Sequence, residues 1–114
     1  MIFSSKNEDG VPKWKQVLDG TATVTRRLKP VKIGKVYAVQ PNRGKKAMCY
    51  IRVISCFRTP DFTCYRFRPE EEAKKEGFMT YEGLINFFAG KNIDIMDTYR
   101  IEFEVMKKLF EEAG

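Results

Sequence analysis

The chain has 114 residues, of which 43% are hydrophobic and 13% aromatic, and its formal net charge at pH 7 is +6. This length fits a single domain over residues 1–114, and the composition is too apolar for a disordered chain of this charge. No apolar run approaches the roughly 20 residues of a membrane span, and residues 1–10 lack the pattern of a signal peptide. We therefore expect a soluble, cytoplasmic protein with no membrane partner.

The positive charge is concentrated in the N-terminal half. Residues 1–60 contain 13 Lys and Arg against 3 Asp and Glu, whereas residues 61–114 contain 8 against 12. A basic surface confined to one part of a domain is typical of proteins that bind phosphate-bearing partners, because neutralised phosphates release counterions. The pattern predicts RNA or a nucleotide as the partner, and simple solubility is the alternative role of the lysines.

The hydrophobic pattern predicts helices and strands in a mixed order. A short strand at residues 2–3 is followed by a helix over Lys13–Asp19 that ends at Gly20. Alternation and β-branched residues predict strands at residues 21–28, 35–40, 47–57, 62–67 and 97–105. Further helices are predicted from Pro69 to about Gly77, with three acids in the first turn, and at residues 81–89. This order predicts an α+β fold, a compact mixed β-barrel of about five or six strands with two or three helices.

The residue types present restrict the possible chemistry. The chain contains no histidine, which excludes Ser-His, Cys-His and histidine-based metal mechanisms. Its glycines match neither a P-loop nor a dinucleotide-binding loop. Cys49, Cys56 and Cys64 are an odd set at spacings that do not suit a zinc site or a disulfide framework, so reduced core or strand positions are predicted. We predict no metal and no cofactor.

Five segments stand in a recognisable order along the chain: residues 17–27 (VLDGTATVTRR), 33–39 (IGKVYAV), 50–53 (YIRV), 76–80 (EGFMT) and 101–105 (IEFEV). Together they resemble an ASCH domain, a family of the PUA-like superfamily of small β-barrels. The resemblance implies a cleft between the strand after the first helix and the glutamate-bearing segment. ASCH domains are associated with RNA binding, and a few are enzymes, including an amidohydrolase acting on N4-acetylcytidine and a nuclease-like member.

This chain is similar to the amidohydrolase group at most positions of that group's strand motif. The group pairs a lysine and a threonine on that strand with a later glutamate. Gly20, Thr23, Thr25 and Arg27 fall on the strand motif, and Glu76 falls on the later acid. The resemblance therefore implies Thr25 and Glu76 as candidate catalytic residues.

The position of the family lysine is occupied by Ala22 in this chain. A methyl group neither transfers a proton nor stabilises an oxyanion, so this departure weakens the prediction of catalysis. A hydrolase of this kind would need a displaced cation. The candidates are Lys13, Lys15, Arg26 and Lys32.

The candidate ligand-binding residues are hydroxyl, basic and aromatic side chains. They are Thr23, Arg26, Arg27, Lys32, Arg43, Lys45, Lys46 and Tyr81. Threonine hydroxyls beside an arginine suit phosphate or base-edge recognition, although threonine is also a common strand residue. Because Arg26 and Arg27 alternate along a strand, at most one is expected on a single cleft wall, and the family motif favours Arg27. The basic loop at residues 43–46 suits backbone contacts, and tyrosine suits base stacking, with solubility and core packing as the alternatives.

These patterns predict a small ASCH-type domain that binds RNA or a single nucleotide in a basic cleft near Thr23, Thr25, Arg27 and Glu76. The alternative is a hydrolase, either an amidohydrolase on a modified nucleoside or a ribonuclease, that uses Thr25 and Glu76 with a displaced lysine. The oligomeric state is left open.

Overall fold

The computed structural model describes residues 1–60 and 68–108. The helices are α1 (Lys13–Asp19), α2 (Pro69–Lys75) and α3 (Tyr81–Gly90), with a 3-10 turn at Ile95–Asp97. The strands are β1 (Val24–Arg27), β2 (Val36–Val39), β3 (Cys49–Arg58) and β4 (Tyr99–Lys108). The predicted α+β class is confirmed. The strand predicted at residues 62–67, which contains Cys64 and Tyr65, lies outside the described residues.

The strands form one antiparallel sheet in the order β1-β4-β3-β2. The register of β3 against β4 shifts between Tyr50 and Ile51 and again between Val53 and Ser55. Such irregularities bend a strand and increase its twist. The sheet curls into a half-barrel, which confirms the predicted class of a small mixed barrel. Within the described ranges it has four strands, whereas about five or six were predicted.

The N-terminal segment closes one edge of the sheet without forming a full strand. Ile2 makes an isolated parallel bridge with Gln40, and the Phe3 N–H donates to the Gln40 carbonyl at 2.9 Å. A strand was predicted at these two residues, and the structure contains only this bridge. The segment nevertheless lies against the end of β2, and Phe3 is 2% exposed.

β1 begins at Val24, three residues later than the predicted start at residue 21. The N–H groups of the two preceding residues bond to the helices instead of to a strand. The Ala22 N–H donates to the carbonyl of Gln16 at 3.0 Å, and the Thr23 N–H donates to the carbonyl of Lys75 at 2.8 Å. These two bonds attach the start of β1 to α1 and to the end of α2.

The helix ends follow the sequence signals. α1 ends at Gly20, whose φ of 81° lies in the left-handed region. At the start of α3, the Thr80 side chain accepts a hydrogen bond from the Gly83 N–H at 3.0 Å, as expected of an N-cap. In the parts of the chain that the structure describes, no helix has the length and apolar character needed to cross a membrane.

Two hydrophobic clusters form the core. The first lies between α1 and the inner face of the sheet, and its buried members are Phe3, Val17, Leu18, Ala22, Val39, Cys49, Ile51 and Phe103. The second joins α2, α3 and the 3-10 turn, and its buried members are Ala73, Phe78, Leu84, Phe88 and Ile95. The predicted alternation of β3 is confirmed, because Cys49, Ile51 and Val53 are buried while Tyr50, Arg52 and Ile54 are exposed.

Candidate functional site

A cavity of about 240 Å³ lies where the N-terminal segment, β1, the end of α2 and the end of α3 meet. Phe3 from the first core cluster and Phe88 from the second both line it, so the cavity marks the junction of the two clusters. Its charged lining residues are Lys13, Arg26, Arg27, Glu76 and Lys91. Among the described residues, four cations therefore surround one acid, and this arrangement attracts anions.

Glu76 directly follows α2 and is 3% exposed. α1 holds the Glu76–Gly77 backbone through two side chains: Lys13 Nζ donates to the carbonyl of Glu76, and Gln16 Nε2 donates to the carbonyl of Gly77 at 2.7 Å. Gly77 has a φ of +94°, and a Cβ at this position would lie 2.4 Å from Gln16 Oε1. The Glu-Gly pair therefore has a structural cause, because only glycine suits both this backbone and the close approach of α1.

Arg26 connects Glu76 to a second buried carboxylate. Its guanidinium donates to Glu76 and, at 3.1 Å, to Glu72 Oε1. Glu72 also accepts two bonds from Arg100, from Nε at 2.5 Å and from Nη2 at 3.1 Å. Burial alone would raise the pKa of Glu72, but the hydrogen bond and charge of Arg100, with the charge of Arg26, hold this pKa below its usual value. The resulting ion-pair network fixes the Glu76 carboxylate at the cavity wall.

Lys13 is a buried cation in the same wall and is 6% exposed. Its Nζ donates to the carbonyl of Val24 at 2.9 Å and to that of Glu76, and it lies 4.0 Å from Glu76 Oε1. Burial lowers the pKa of Lys13 to about 8, Arg27 and Arg26 act in the same direction, and Glu76 opposes them. Near this pH a substantial fraction of Lys13 is a neutral amine, which can accept a proton.

Arg27 and Arg26 both line the cavity, so the expectation that only one could do so is wrong. Strand alternation sets the direction of the first side-chain bond, but an arginine is long enough to turn from either face. Arg27 lies over the Phe3 ring, 4.9 Å from its centroid, and its Nη2 donates to the Ile2 carbonyl at 2.7 Å. Arg26, and not the arginine that the family motif favours, binds Glu76.

Of the four candidate cations, Lys13 and Arg26 contact Glu76. Ala22, at the family lysine position, is 1% exposed, belongs to the first core cluster and does not line the cavity. Lys15 and Lys32 are exposed, and neither lines the cavity. Lys13, on α1, is the candidate lysine that reaches Glu76, with its Nζ 4.0 Å from Glu76 Oε1.

Of the other predicted site residues, one lines the cavity and the rest do not. Thr25 is 5% exposed and lines the cavity, whereas Thr23 does not. Tyr81 packs against the second core cluster, away from the cavity lining. The basic residues of the loops are exposed and do not line the cavity: they are Lys32, Arg43, Lys45 and Lys46.

Several site residues were missed by the sequence patterns. Lys91 and Phe88 line the cavity from α3 and the residue after it, and Glu72 and Arg100 support Glu76 through Arg26. Helical spacing could have predicted one of these residues, because Glu72 lies four residues before Glu76 and therefore on the same helix face. The same spacing places Lys13 on the face of Val17. No local pattern distinguishes Arg100 or Lys91 from solvated surface residues.

Comparison with known proteins found no family model and no curated protein that matches this chain. The fold is similar to that of protein EF3133 from Enterococcus faecalis V583, whose crystal structure is described with the family model DUF984. The match has a TM-score of 0.63 and 14% sequence identity, and it covers 98% of this chain and 79% of that one. At this identity the similarity concerns the fold alone.

Proposed function

We propose that the protein binds a nucleotide in this cavity, either alone or as an unstacked unit of an RNA strand. The observation that carries the proposal is the lining, in which four cations and one acid accompany Thr25, Phe3 and Phe88. Cations suit phosphate groups, carboxylates and hydroxyls suit base edges, and aromatic rings suit base faces. The volume of about 240 Å³ is just below the usual range for ligand pockets, about 300–1,000 Å³, and suits one nucleotide rather than a duplex.

Two further features support a nucleic-acid ligand. The basic loop at residues 43–46 begins three residues after Gln40, whose carbonyl binds the N-terminal wall of the cavity at Phe3. Cations in this loop would attract the phosphates on either side of a bound nucleotide. The resemblance to ASCH domains points the same way, because that family is associated with RNA binding.

The proposal is tested by binding of short fluorescent single-stranded RNAs and of ribonucleoside monophosphates over a series of salt concentrations. We expect the affinity for RNA to fall steeply with salt and to survive a metal chelator. Thr25→Val should weaken binding about fivefold, the equivalent of one hydrogen bond. The matched control is Thr23→Val, the same change two residues earlier and outside the cavity, and it should bind as the wild type does. Absent or salt-independent binding, or equal effects of the two variants, would contradict the proposal.

A hydrolase is the second candidate, and the position of Lys13 favours it. Lys13, Glu76 and Thr25 line one cavity, and burial lowers the pKa of Lys13 to about 8. A lysine with a pKa lowered into this range suits general base catalysis. In amide hydrolysis, the neutral Lys13 amine would take one proton from an attacking water while the water oxygen bonds to the acyl carbon and Arg26 holds Glu76 in place. The C–N bond then breaks, and the departing nitrogen takes that proton from the Lys13 ammonium, which restores the neutral amine.

Incubation with N4-acetylcytidine and with short RNAs tests this candidate. We expect the rate to increase with pH up to about 8, because the neutral amine is the active form. Lys13→Met and Glu76→Gln should each lower the rate by about 100-fold or more. Lys15→Met serves as the control, since Lys15 is on the same helix and exposed. Unchanged substrate in every sample, or a wild-type rate in Lys13→Met, rules the candidate out.

A further inference from the structure

The charges of the cavity are incompletely neutralised. Arg26 and Lys13 share the single lining carboxylate of Glu76, and the other buried acid, Glu72, is bound by Arg26 and Arg100. Within residues 1–60 and 68–108, no carboxylate forms an ion pair with Arg27. Buried or half-buried charges are costly unless a charge of opposite sign accompanies them. A negative charge brought by a ligand would therefore stabilise this wall.

Arg27 is already held in a fixed orientation. One face of its guanidinium lies on the Phe3 ring at 4.9 Å, and Nη2 is bound to the carbonyl of Ile2 at 2.7 Å. Nη1 makes no hydrogen bond to the described residues, and it is not fully buried. The group therefore keeps a donor accessible to a ligand, while stacking removes much of the rotational freedom that binding would otherwise cost.

We propose that the cavity is an oxyanion receptor in which the Arg27 guanidinium binds a phosphate or carboxylate group of the ligand. The inference rests on the proposed function, where this group is the phosphate of the nucleotide. The inference also gives the orientation of the ligand. Its anionic end lies at Arg27, and its neutral end lies toward Thr25 and Glu76. Lys91 lines the same cavity. A neutral nucleoside would leave Arg27 without a counterion.

The test is isothermal titration calorimetry at pH 7 with each of the four ribonucleosides, its 5′-monophosphate and inorganic phosphate. We expect at least one monophosphate to bind about tenfold or more tightly than its nucleoside, as a charged hydrogen bond would give. Arg27→Gln should abolish this preference, and Arg27→Lys should keep part of it, because lysine retains the charge but not the planar fork. Circular dichroism establishes that each variant is folded.

Arg58 offers a matched control for Arg27. It also lies over an aromatic ring, 5.7 Å from the centroid of Tyr99, and its Nη2 donates to the carbonyl of Met96 at 3.1 Å, but it does not line the cavity. Arg58→Gln removes the same charge from the protein. It should leave the preference for the monophosphate unchanged, so that a loss in Arg27→Gln is attributed to the cavity rather than to net charge.

The outcomes separate this inference from the proposed function. Equal binding of nucleosides and monophosphates, or an unchanged preference in folded Arg27→Gln, overturns the oxyanion receptor and leaves nucleotide binding standing. Inorganic phosphate that binds as tightly as the nucleotides, with the binding lost in Arg27→Gln, supports the receptor and overturns the nucleotide as its ligand. Absence of binding by every probe overturns both.

Discussion

Lys13 shows how the environment of one residue changes its chemistry. On α1 in isolation it would be an ordinary solvated lysine, but the end of α2 and the start of β1 enclose it until 6% of it remains exposed. Two backbone carbonyls accept from its Nζ, and the neutral amine can keep both bonds because it still has two hydrogens. Loss of the charge therefore keeps both hydrogen bonds and removes the cost of burying the charge, which outweighs the attraction of Glu76, and it also relieves repulsion from Arg27 and Arg26.

This leads to a prediction for the pH dependence of stability. The folded-state pKa of Lys13 is about 8 and the ordinary value is 10.5, so between these values the unfolded chain binds more protons than the folded one. Stability then rises with pH over this interval, by up to about 1.4 kcal/mol per pH unit for this group. Urea unfolding of the wild type and of Lys13→Met at several pH values should show the wild type gaining relative to the variant between pH 8 and 10.5. A constant or decreasing difference would contradict it.

At the scale of elements, α1 and the end of α2 form one unit around the Glu76–Gly77 backbone. Lys13 and Gln16 lie three residues apart, on one face of α1, and each donates to one of the two adjacent carbonyls. The helices are short, and these bonds join segments 61 and 63 residues apart. The position of the Glu76 carboxylate therefore depends on α1 as much as on α2.

We predict that Gly77→Ala is more destabilising than the same change at another glycine with positive φ. Gly34 has a φ of +88° and open space around its Cβ position, so Gly34→Ala should cost only the backbone strain, about 1–2 kcal/mol. Gly77→Ala adds a clash with the buried Gln16 side chain, worth about 1 kcal/mol more. Thermal or urea unfolding measures both variants. Equal destabilisation would show that the Gln16 side chain moves away from Gly77 without a cost in stability. The contact between Gln16 and the Gly77 backbone would then be less rigid than its geometry indicates.

At the scale of the whole molecule, the cavity exists because two core clusters meet without merging. The first cluster fills the concave side of the curled sheet, and the second packs α2 against α3. The N-terminal segment bridges to Gln40 at the edge of the sheet, and Phe3 and Ile2 thereby become part of the cavity wall. Basic residues from the first sixty positions and an acid from the second half of the chain are brought together at this junction.

The sequence by itself determined the α+β class, the ranges of the three helices to within one or two residues, and the inward and outward faces of β3. These features depend on local periodicity, which the helix turn and the strand pleat impose on neighbouring residues. It also singled out Thr25, Arg27 and Glu76, which line one cavity. The tertiary structure alone decided that Arg26 holds Glu76, that Glu72 and Arg100 support it, and that the Lys13 ammonium group lies beside Glu76. The physical reason is that ion pairs are selected by distance in space, and the partners here are far apart in the chain, 50 residues for Arg26 and Glu76 and 63 for Lys13 and Glu76.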